Sequence, residues 1–291
     1  MKKLLRETIK ITNDNIILAI PLVIFMWIIG AYLSYSKLSA DSPGELLLAI
    51  VTILFMLGAF LSGWFYLVKE AVRISSEIFV IEKDRTKAAL ELYKEFPVGI
   101  GKYFLTFIGI AVILFLIFTL TGVVIFKAGL LTIGNIDLSP LQIKQILGTP
   151  EDMKLFVDSL TETQLIKLAK WNLLFMAGSA VISYLTILWV PEVVNGNKNP
   201  ALALVNSVKK VFKKPLKTLG VFLFIGVLNF LLSFLSTFAI YNPLAYLIMM
   251  VVYFYFLVFI VVLIFLYYES EFLNPSQEVK SITDEQTQAE E

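Results

Sequence analysis

Hydrophobic and charged positions are segregated along the chain. Five stretches contain no Asp, Glu, Lys or Arg, and they cover residues 15–36, 46–68, 103–126, 171–191 and 218–268. The first four are 21 to 24 residues long, and a helix of roughly 20 residues crosses a hydrocarbon core about 30 Å thick. The fifth has 51 residues and is interrupted near its middle by Tyr241-Asn242-Pro243. This pattern predicts six membrane-spanning helices.

The predicted fold is all-α, a polytopic membrane protein with a single six-span domain over residues 1–268. We place the spans at about residues 15–36, 46–68, 103–126, 171–190, 218–240 and 244–268. The composition agrees, because 58% of the residues are hydrophobic and 16% are charged, against about 45–50% and about 25% in soluble domains. Residues 269–291 are polar and acidic, which predicts a disordered tail.

The distribution of Lys and Arg predicts the orientation of the spans. With the amino terminus in the cytoplasm, 18 of the 24 basic residues lie in cytoplasmic segments and 6 in outer segments. This bias follows the positive-inside rule, so we expect both termini to be cytoplasmic and the protein to lie in the cell membrane. Residues 15–36 are longer than the apolar region of a signal peptide, which has about 7–15 residues, so we expect an uncleaved first span.

Three short, basic and amphipathic segments each precede a pair of spans. They cover residues 2–10, 86–96 and 200–212, and the third follows the capping residue Asn199. Their apolar residues recur at spacings of three and four, which predicts helices that lie in the membrane interface or pack on the adjacent spans. A dedicated lipid or partner site is the alternative. We therefore expect a unit of one amphipathic helix and two spans, repeated three times.

The predicted outer loop, residues 127–170, carries several helix start signals. Ser139-Pro140 and Thr149-Pro150 each place a capping residue before a proline, and Thr161 with Gln164 forms a capping-box pattern. We predict two short helices here, followed by a helix that starts at Glu162 and continues into the fourth span.

Two missing residue types restrict the possible chemistry. The chain has no Cys, which excludes disulfides and thiolate metal sites, and no His, which removes the usual general base and metal ligand. The net charge of +1 argues against nucleic-acid binding. We expect no catalytic, cofactor-binding or metal-binding residues. The expected partner is the lipid bilayer, with another membrane protein as a further hypothesis.

Polar side chains inside the predicted spans form one candidate functional face. All charged residues fall outside the spans, which lowers the case for an ion-coupled transporter. In span five, a spacing of three or four places polar residues on one helix face: Asn229, Ser233, Ser236 and Thr237. This face either lines a polar cavity or packs against a neighbouring helix, with Asn229 hydrogen-bonded across the contact.

Small residues mark two candidate packing seams. Span two contains small residues separated by three positions, Gly58 with Ser62, and a further glycine at Gly63. In span four the corresponding set is Gly178, Ser179 and Ser183. Such patterns let two helix backbones approach each other closely.

Aromatic and acidic residues near the ends of the predicted spans have a structural interpretation. Six of them are typical of an aromatic belt at the membrane surfaces: Trp64, Tyr66, Trp171, Trp189, Tyr267 and Tyr268. Glu70, Glu192 and Glu269 are interpreted as boundary residues rather than as catalytic acids.

The junction between spans four and five resembles a known family. It consists of Leu188-Trp189-Val190-Pro191-Glu192-Val193-Val194 and then Asn199-Pro200-Ala201-Leu202-Ala203-Leu204-Val205-Asn206-Ser207. This pattern is similar to the membrane domain attached to some glycerophosphoryl diester phosphodiesterases and to related six-span inner-membrane proteins. The likeness covers about 30 residues and implies the repeat architecture and a non-catalytic role. The phosphodiesterase catalytic domain has no counterpart here, so its activity is not carried over.

Three functions are compatible with these features. The leading hypothesis is a non-catalytic scaffold or accessory subunit in the cell envelope. The first alternative is a transporter or permease component with a polar path along span five. The second is an intramembrane lipid-modifying enzyme, which would need Glu70 or Glu192 to face a cleft.

Overall fold

The computed structural model describes residues 1–39, 42–75, 91–146, 150–239 and 242–273. Within these ranges the α-helices are α1 (Lys2–Asp14), α2 (Ala19–Ser39), α3 (Pro43–Ser75), α4 (Glu95–Thr132), α5 (Pro140–Ile146), α6 (Pro150–Ser159), α7 (Glu162–Thr186), α8 (Trp189–Asn195), α9 (Pro200–Lys213), α10 (Pro215–Ala239) and α11 (Pro243–Tyr268). Short 3₁₀ turns cover Ile16–Leu18 and Leu92–Lys94, and a π-helical turn covers Glu269–Leu273.

Six segments of the described chain are long and apolar enough to cross a membrane. They are Ile16–Tyr35, Pro43–Ser75, Leu92–Thr132, Glu162–Asn195, Pro215–Ala239 and Pro243–Leu273. The predicted all-helical, multi-pass membrane character is therefore confirmed. Several of these helices are longer than the spans expected from the sequence; α3 has 33 residues and α4 has 38. Such lengths exceed what a hydrocarbon core about 30 Å thick requires.

The chain divides into two compact units. Unit 1 comprises residues 1–112 and 185–291, and unit 2 comprises residues 113–184. The core of unit 1 forms around α11, which contacts α1, α2, α3, α8 and α10. Fully buried aliphatic side chains from α3, α8 and α11 fill this core: Leu67, Val68, Val193, Val194, Val258, Val262 and Leu263.

The prediction of an aromatic belt is wrong for its six residues, which are all buried. Trp189 is 2% exposed, and its indole Nε1 donates a hydrogen bond to the Pro200 carbonyl at 2.8 Å. Trp64 is 3% exposed and donates to the Leu18 carbonyl at 2.9 Å. A buried indole needs such an acceptor. Near the ends of the spans, helices of the same unit pack against one another, and these rings lie in the contacts between them.

The expected helix starts of the loop 127–170 are present in unit 2. Ser139 and Gln142 exchange backbone and side-chain hydrogen bonds at the start of α5, and Thr161 and Gln164 do the same at the start of α7. These are reciprocal capping boxes. Thr149, the third capping candidate, lies outside the described residues.

One tryptophan of α7 joins that helix to the end of α4 and the turn that follows it. Gly134 has a φ of +80°, a left-handed conformation that glycine adopts without the cost of a Cβ atom. Its carbonyl accepts a hydrogen bond from Nε1 of Trp171 at 3.2 Å. The Trp171 ring also lies against the backbone of Gly129, where any Cβ would fall inside van der Waals contact.

Two of the three amphipathic segments form the expected helices, α1 and α9. Residues 86–90 of the second segment lie outside the described residues, as do residues 274–291 of the tail. The N-cap of α9 is confirmed, because the Asn199 side chain accepts hydrogen bonds from the backbone N–H groups of Ala201 and Leu202. The N-cap of α11 follows the same rule, with Asn242 accepting from Leu244 and Ala245. The threefold repeat stays a prediction.

Candidate functional site at the charged end of unit 1

Three polar side chains from three helices form a closed hydrogen-bonded triangle. Lys210 Nζ on α9 donates to Glu192 Oε2 on α8 at 2.5 Å and to the Tyr268 hydroxyl on α11 at 2.6 Å. The Tyr268 hydroxyl donates to the same Glu192 oxygen at 2.6 Å. The Lys210 ammonium also lies 4.5 Å from the centroid of the Tyr268 ring, a cation–π distance.

Two members of the triangle, Glu192 and Tyr268, are buried, and Lys210 is partly exposed. The Glu192 side chain is 6% exposed and that of Lys210 is 26% exposed. Removing a charge from water costs several kcal/mol, and a nearby opposite charge with good hydrogen-bond geometry offsets that cost. Glu192 therefore depends on Lys210 and Tyr268, and the three side chains together fix α8, α9 and α11 to one another.

A second polar cluster lies where α9 meets α10. The Glu271 carboxylate pairs with Lys214 and, at 2.8 Å, with Lys217. Next to it, the hydroxyls of Thr218 and Tyr267 are hydrogen-bonded at 2.8 Å. Lys214 and Lys217 share Glu271, and the ammonium groups of Lys210 and Lys214 both lie within 6 Å of the centroid of the Phe272 ring, so the two polar clusters are neighbours.

The turn after α8 is held by α3 and α4. The last carbonyl groups of a helix have no partner within it, so they need donors from elsewhere. The Val194 carbonyl accepts hydrogen bonds from Tyr103 Oη at 2.9 Å and Lys69 Nζ at 3.3 Å. Thr106 Oγ1 donates to the Lys198 carbonyl at 2.9 Å. The connection between α8, which carries Glu192, and α9, which carries Lys210, is therefore fixed by both α3 and α4.

A groove of about 620 Å³ lies beside these clusters, between α1, α3, α10 and α11. This volume falls in the range of about 300–1,000 Å³ that is usual for small-molecule sites. Its walls carry charges of both signs, and its floor is apolar. The polar lining consists of Lys3, Glu7, Lys10, Ser75, Lys217, Tyr267, Glu269, Ser270 and Glu271, and the apolar lining includes Leu4, Ile11, Val72, Leu216, Val221 and Leu266.

The polar face predicted for span five lies away from this groove. Asn229, Ser233, Ser236 and Thr237 are exposed along α10 and do not line the groove. Ser236 and Thr237 donate hydrogen bonds to the carbonyls of Ser233 and Phe234, within their own helix. The Asn229 side chain has no hydrogen-bond partner among the described residues.

The small residues of span two lie at a contact between α3 and α4. A Cβ added at Gly58 would meet Ile108 Cδ1 at 2.5 Å, and one added at Gly63 would meet the Phe96 ring at 2.9 Å. Ser62 is buried, and its hydroxyl donates to the Ala59 carbonyl.

The small residues of span four are placed differently. In unit 2, Gly178 lies against the Ile125 side chain within van der Waals contact. Ser179 and Ser183, which share the proposed seam with Gly178, are exposed.

Glu70 and Glu192, the two acidic residues that the enzyme hypothesis requires, do not line the groove. Glu70 Oε2 pairs with Arg73 Nε at 2.7 Å and Glu192 belongs to the triangle, and neither lines the groove. The described residues contain no group of three or more Asp or Glu side chains that could hold a metal ion.

Sequence reasoning missed Lys210, Tyr268 and Glu271 as members of the site. Tyr268 was assigned to an aromatic belt, and Glu192 to a span boundary. The available signal was the concentration of lysines that includes Lys210, Lys214 and Lys217, together with acidic residues directly after two spans.

Comparison of the chain with protein-family models, with curated proteins and with solved structures finds no match.

Proposed function

We propose that the protein is a non-catalytic accessory subunit or scaffold of the cell membrane, which associates with another membrane protein through the polar face of α10. Both termini are cytoplasmic in this proposal. The observation that carries it is the exposure of Asn229 on a helix that is apolar enough to span a membrane.

Exposed apolar side chains on α10 are expected, because lipid solvates them. Asn229 is different. It is the fifteenth of the 25 residues of α10, so a spanning helix holds it near the middle of the hydrocarbon core. An amide without a hydrogen-bond partner in that environment costs several kcal/mol. A helix of a partner protein that supplies a polar group to Asn229 removes this cost.

The charged end of unit 1 supports the non-catalytic part of the proposal. Glu70, Glu192 and Glu271 are each engaged in ion pairs, and Glu192 shares a single oxygen between two donors. A general acid or base needs access to the substrate proton that it transfers. The triangle instead joins three helices, which is a structural role that suits a scaffold. The proposed resemblance to a membrane domain that accompanies separate catalytic domains points in the same direction.

The transporter alternative has less support. A path through a helical bundle is lined by polar residues that neighbouring helices enclose, whereas Asn229, Ser233, Ser236 and Thr237 are exposed.

The test is purification of the tagged full-length chain from its own membranes in mild detergent, with quantitative mass spectrometry of the proteins that accompany it. The Asn229→Leu/Ser233→Leu variant is expected to lose a stoichiometric membrane partner. The control, Leu231→Ile, lies on the opposite side of α10 and is expected to retain it.

Two results would overturn the proposal. One is that no stoichiometric partner accompanies the unsubstituted chain. The other is that the double variant retains its partner fully. Flux of a solute through reconstituted protein that disappears in the double variant would favour the transporter instead.

The proposed orientation has its own test. Because the chain has no Cys, single cysteines can be introduced without background labelling. Lys209→Cys and Asp137→Cys are expected to react from opposite sides of sealed vesicles with a membrane-impermeant maleimide. Labelling of both from the same side would contradict the predicted orientation.

A further inference from the structure

The groove between α1, α3, α10 and α11 is lined by charged groups of both signs. On the α1 wall, Lys3, Glu7 and Lys10 recur at spacings of four and three, so they share one helix face and carry a net positive charge. The opposite wall, at the end of α11, carries Glu269 and Glu271. Glu271 is paired with Lys214 and Lys217, so these four groups together carry no net charge, and Glu269 is the carboxylate of that wall that Lys214 and Lys217 do not bind.

Four of these charged groups have no ion-pair partner among the described residues: Lys3, Glu7, Lys10 and Glu269. Glu269 is half-buried, so its carboxylate is partly removed from water without a compensating cation. This contrasts with Glu192 and Glu271, which are buried and paired with lysines. A half-buried charge gains more from a ligand cation than an exposed one does, because less water screens the interaction.

The floor of the groove is apolar, with Leu4, Ile11, Val72, Val221 and Leu266 among its lining residues. The helices that supply this floor include three that are apolar enough to span a membrane, α3, α10 and α11. A ligand that contacts the whole groove therefore has a cationic group, an anionic group and an apolar portion. It must also be present in a membrane, because α3, α10 and α11 are apolar enough to span one.

We infer that this groove binds a phospholipid with a primary ammonium headgroup. The phosphate lies against Lys3 and Lys10, the ammonium donates hydrogen bonds to Glu269, and the glycerol and the first acyl carbons contact the apolar floor. The inference concerns a different surface from α10, and it does not depend on the proposed protein partner.

The chemistry of related lipids makes the proposal specific. An ethanolamine headgroup carries N–H donors that a carboxylate accepts. A choline headgroup has the same charge but no N–H donor, and a glycerol headgroup has no cation. A charge-assisted hydrogen bond is the stronger kind, and its loss is expected to reduce affinity about tenfold.

The experiment is native mass spectrometry of the delipidated full-length chain in dodecyl maltoside, titrated separately with dioleoyl phosphatidylethanolamine, phosphatidylcholine and phosphatidylglycerol. We expect the ethanolamine lipid to bind about tenfold more tightly than the choline lipid. Glu269→Gln is expected to abolish this preference, and Glu269→Asp is expected to retain it. Lys3→Gln/Lys10→Gln is expected to weaken all three lipids by about tenfold or more.

Matched controls remove the same charges outside the groove. Glu162→Gln, and Lys209→Gln/Lys213→Gln on the exposed side of α9, are expected to bind all three lipids as the unsubstituted chain does. Melting temperatures of all variants are compared, so that a folding defect is separated from a binding defect.

Three outcomes would overturn the inference. The first is equal binding of the ethanolamine and choline lipids by the unsubstituted chain. The second is an effect of the control substitutions as large as that of the groove substitutions. The third is competition by water-soluble glycerophosphoethanolamine at the same concentration as the lipid, because the apolar floor would then contribute nothing.

Discussion

The charged end of unit 1 and the loop region of unit 2 are stabilised in different ways. In unit 1, side chains bind one another across large sequence distances; Lys210 and Tyr268 are 58 positions apart. In unit 2, side chains bind backbone carbonyls instead, as Trp171 and Lys167 do with the carbonyls of Gly134 and Asn135. The first arrangement depends on charge balance and the second on local shape.

This difference predicts different sensitivities. A buried charge that loses its partner stays in a medium where it is poorly solvated, so one substitution has a large effect. A ring packed on a backbone tolerates changes of charge around it, but it does not tolerate added volume. The three predictions below test the two regions against each other.

The largest effect is expected for Lys210→Met, which keeps an apolar chain but removes the cation beside Glu192. We expect the free energy of unfolding to fall by about 3 kcal/mol, because the Glu192 carboxylate stays buried. Thermal unfolding in detergent, followed by tryptophan fluorescence, measures the change. Lys209→Met, at an exposed neighbouring position, is the control and should leave the melting temperature unchanged.

The double variant Lys210→Met/Glu192→Gln sharpens this prediction. It removes both charges, so its cost should be smaller than the sum of the two single costs. Strict additivity would show that the ion pair contributes nothing to the coupling of α8 and α9.

An intermediate effect is expected for Gly129→Ala in unit 2. The added methyl group would overlap the rigid Trp171 ring, and overpacking of this kind costs about 1–3 kcal/mol. Gly122→Ala in the same helix is the matched control, because a Cβ at that position meets open space. Alanine there should stabilise the helix by up to about 1 kcal/mol. Equal melting temperatures for the two variants would contradict the packing that we describe.

The smallest effect is expected at the helix caps, where the two units should respond alike. Asn199→Ala in unit 1 and Thr161→Ala in unit 2 each remove an N-cap acceptor and should cost about 1 kcal/mol. Asn199→Asp and Thr161→Ser keep the acceptor and should retain the stability. Amide hydrogen exchange in the first turns of α9 and α7 reports each cap separately. Unchanged exchange in the alanine variants would show that the caps are not needed.

Much of the helical structure could be predicted from local signals. The interruption before Pro243 separates α10 from α11, and Asn199, Ser139 and Thr161 mark helix starts. These features depend on residues within four positions of one another. Hydropathy also located the six apolar helices, but it underestimated the length of α3 and α4, because the charged residues next to the predicted spans, such as Lys69 and Lys127, do not end a helix.

The candidate site was not predictable in the same way. Glu192, Lys210 and Tyr268 meet through the packing of three helices, and none of them shares a local pattern with another. These side chains bind one another because packing brings them together in a largely buried place. Hydropathy does not predict which residues at the ends of the spans are buried. The same reason explains why six aromatic residues were assigned to the membrane surface although they are buried.

The triangle also has a consequence for biosynthesis. Glu192 and Lys210 leave the ribosome well before Tyr268, which follows Lys210 by 58 residues. At 5–20 residues per second, this interval is roughly 3–12 s. During that time the nascent chain holds a carboxylate and an ammonium that lack their third partner. The arrival of the last helix therefore completes the triangle, and a chain terminated before Pro243 would keep its first five spans without this contact.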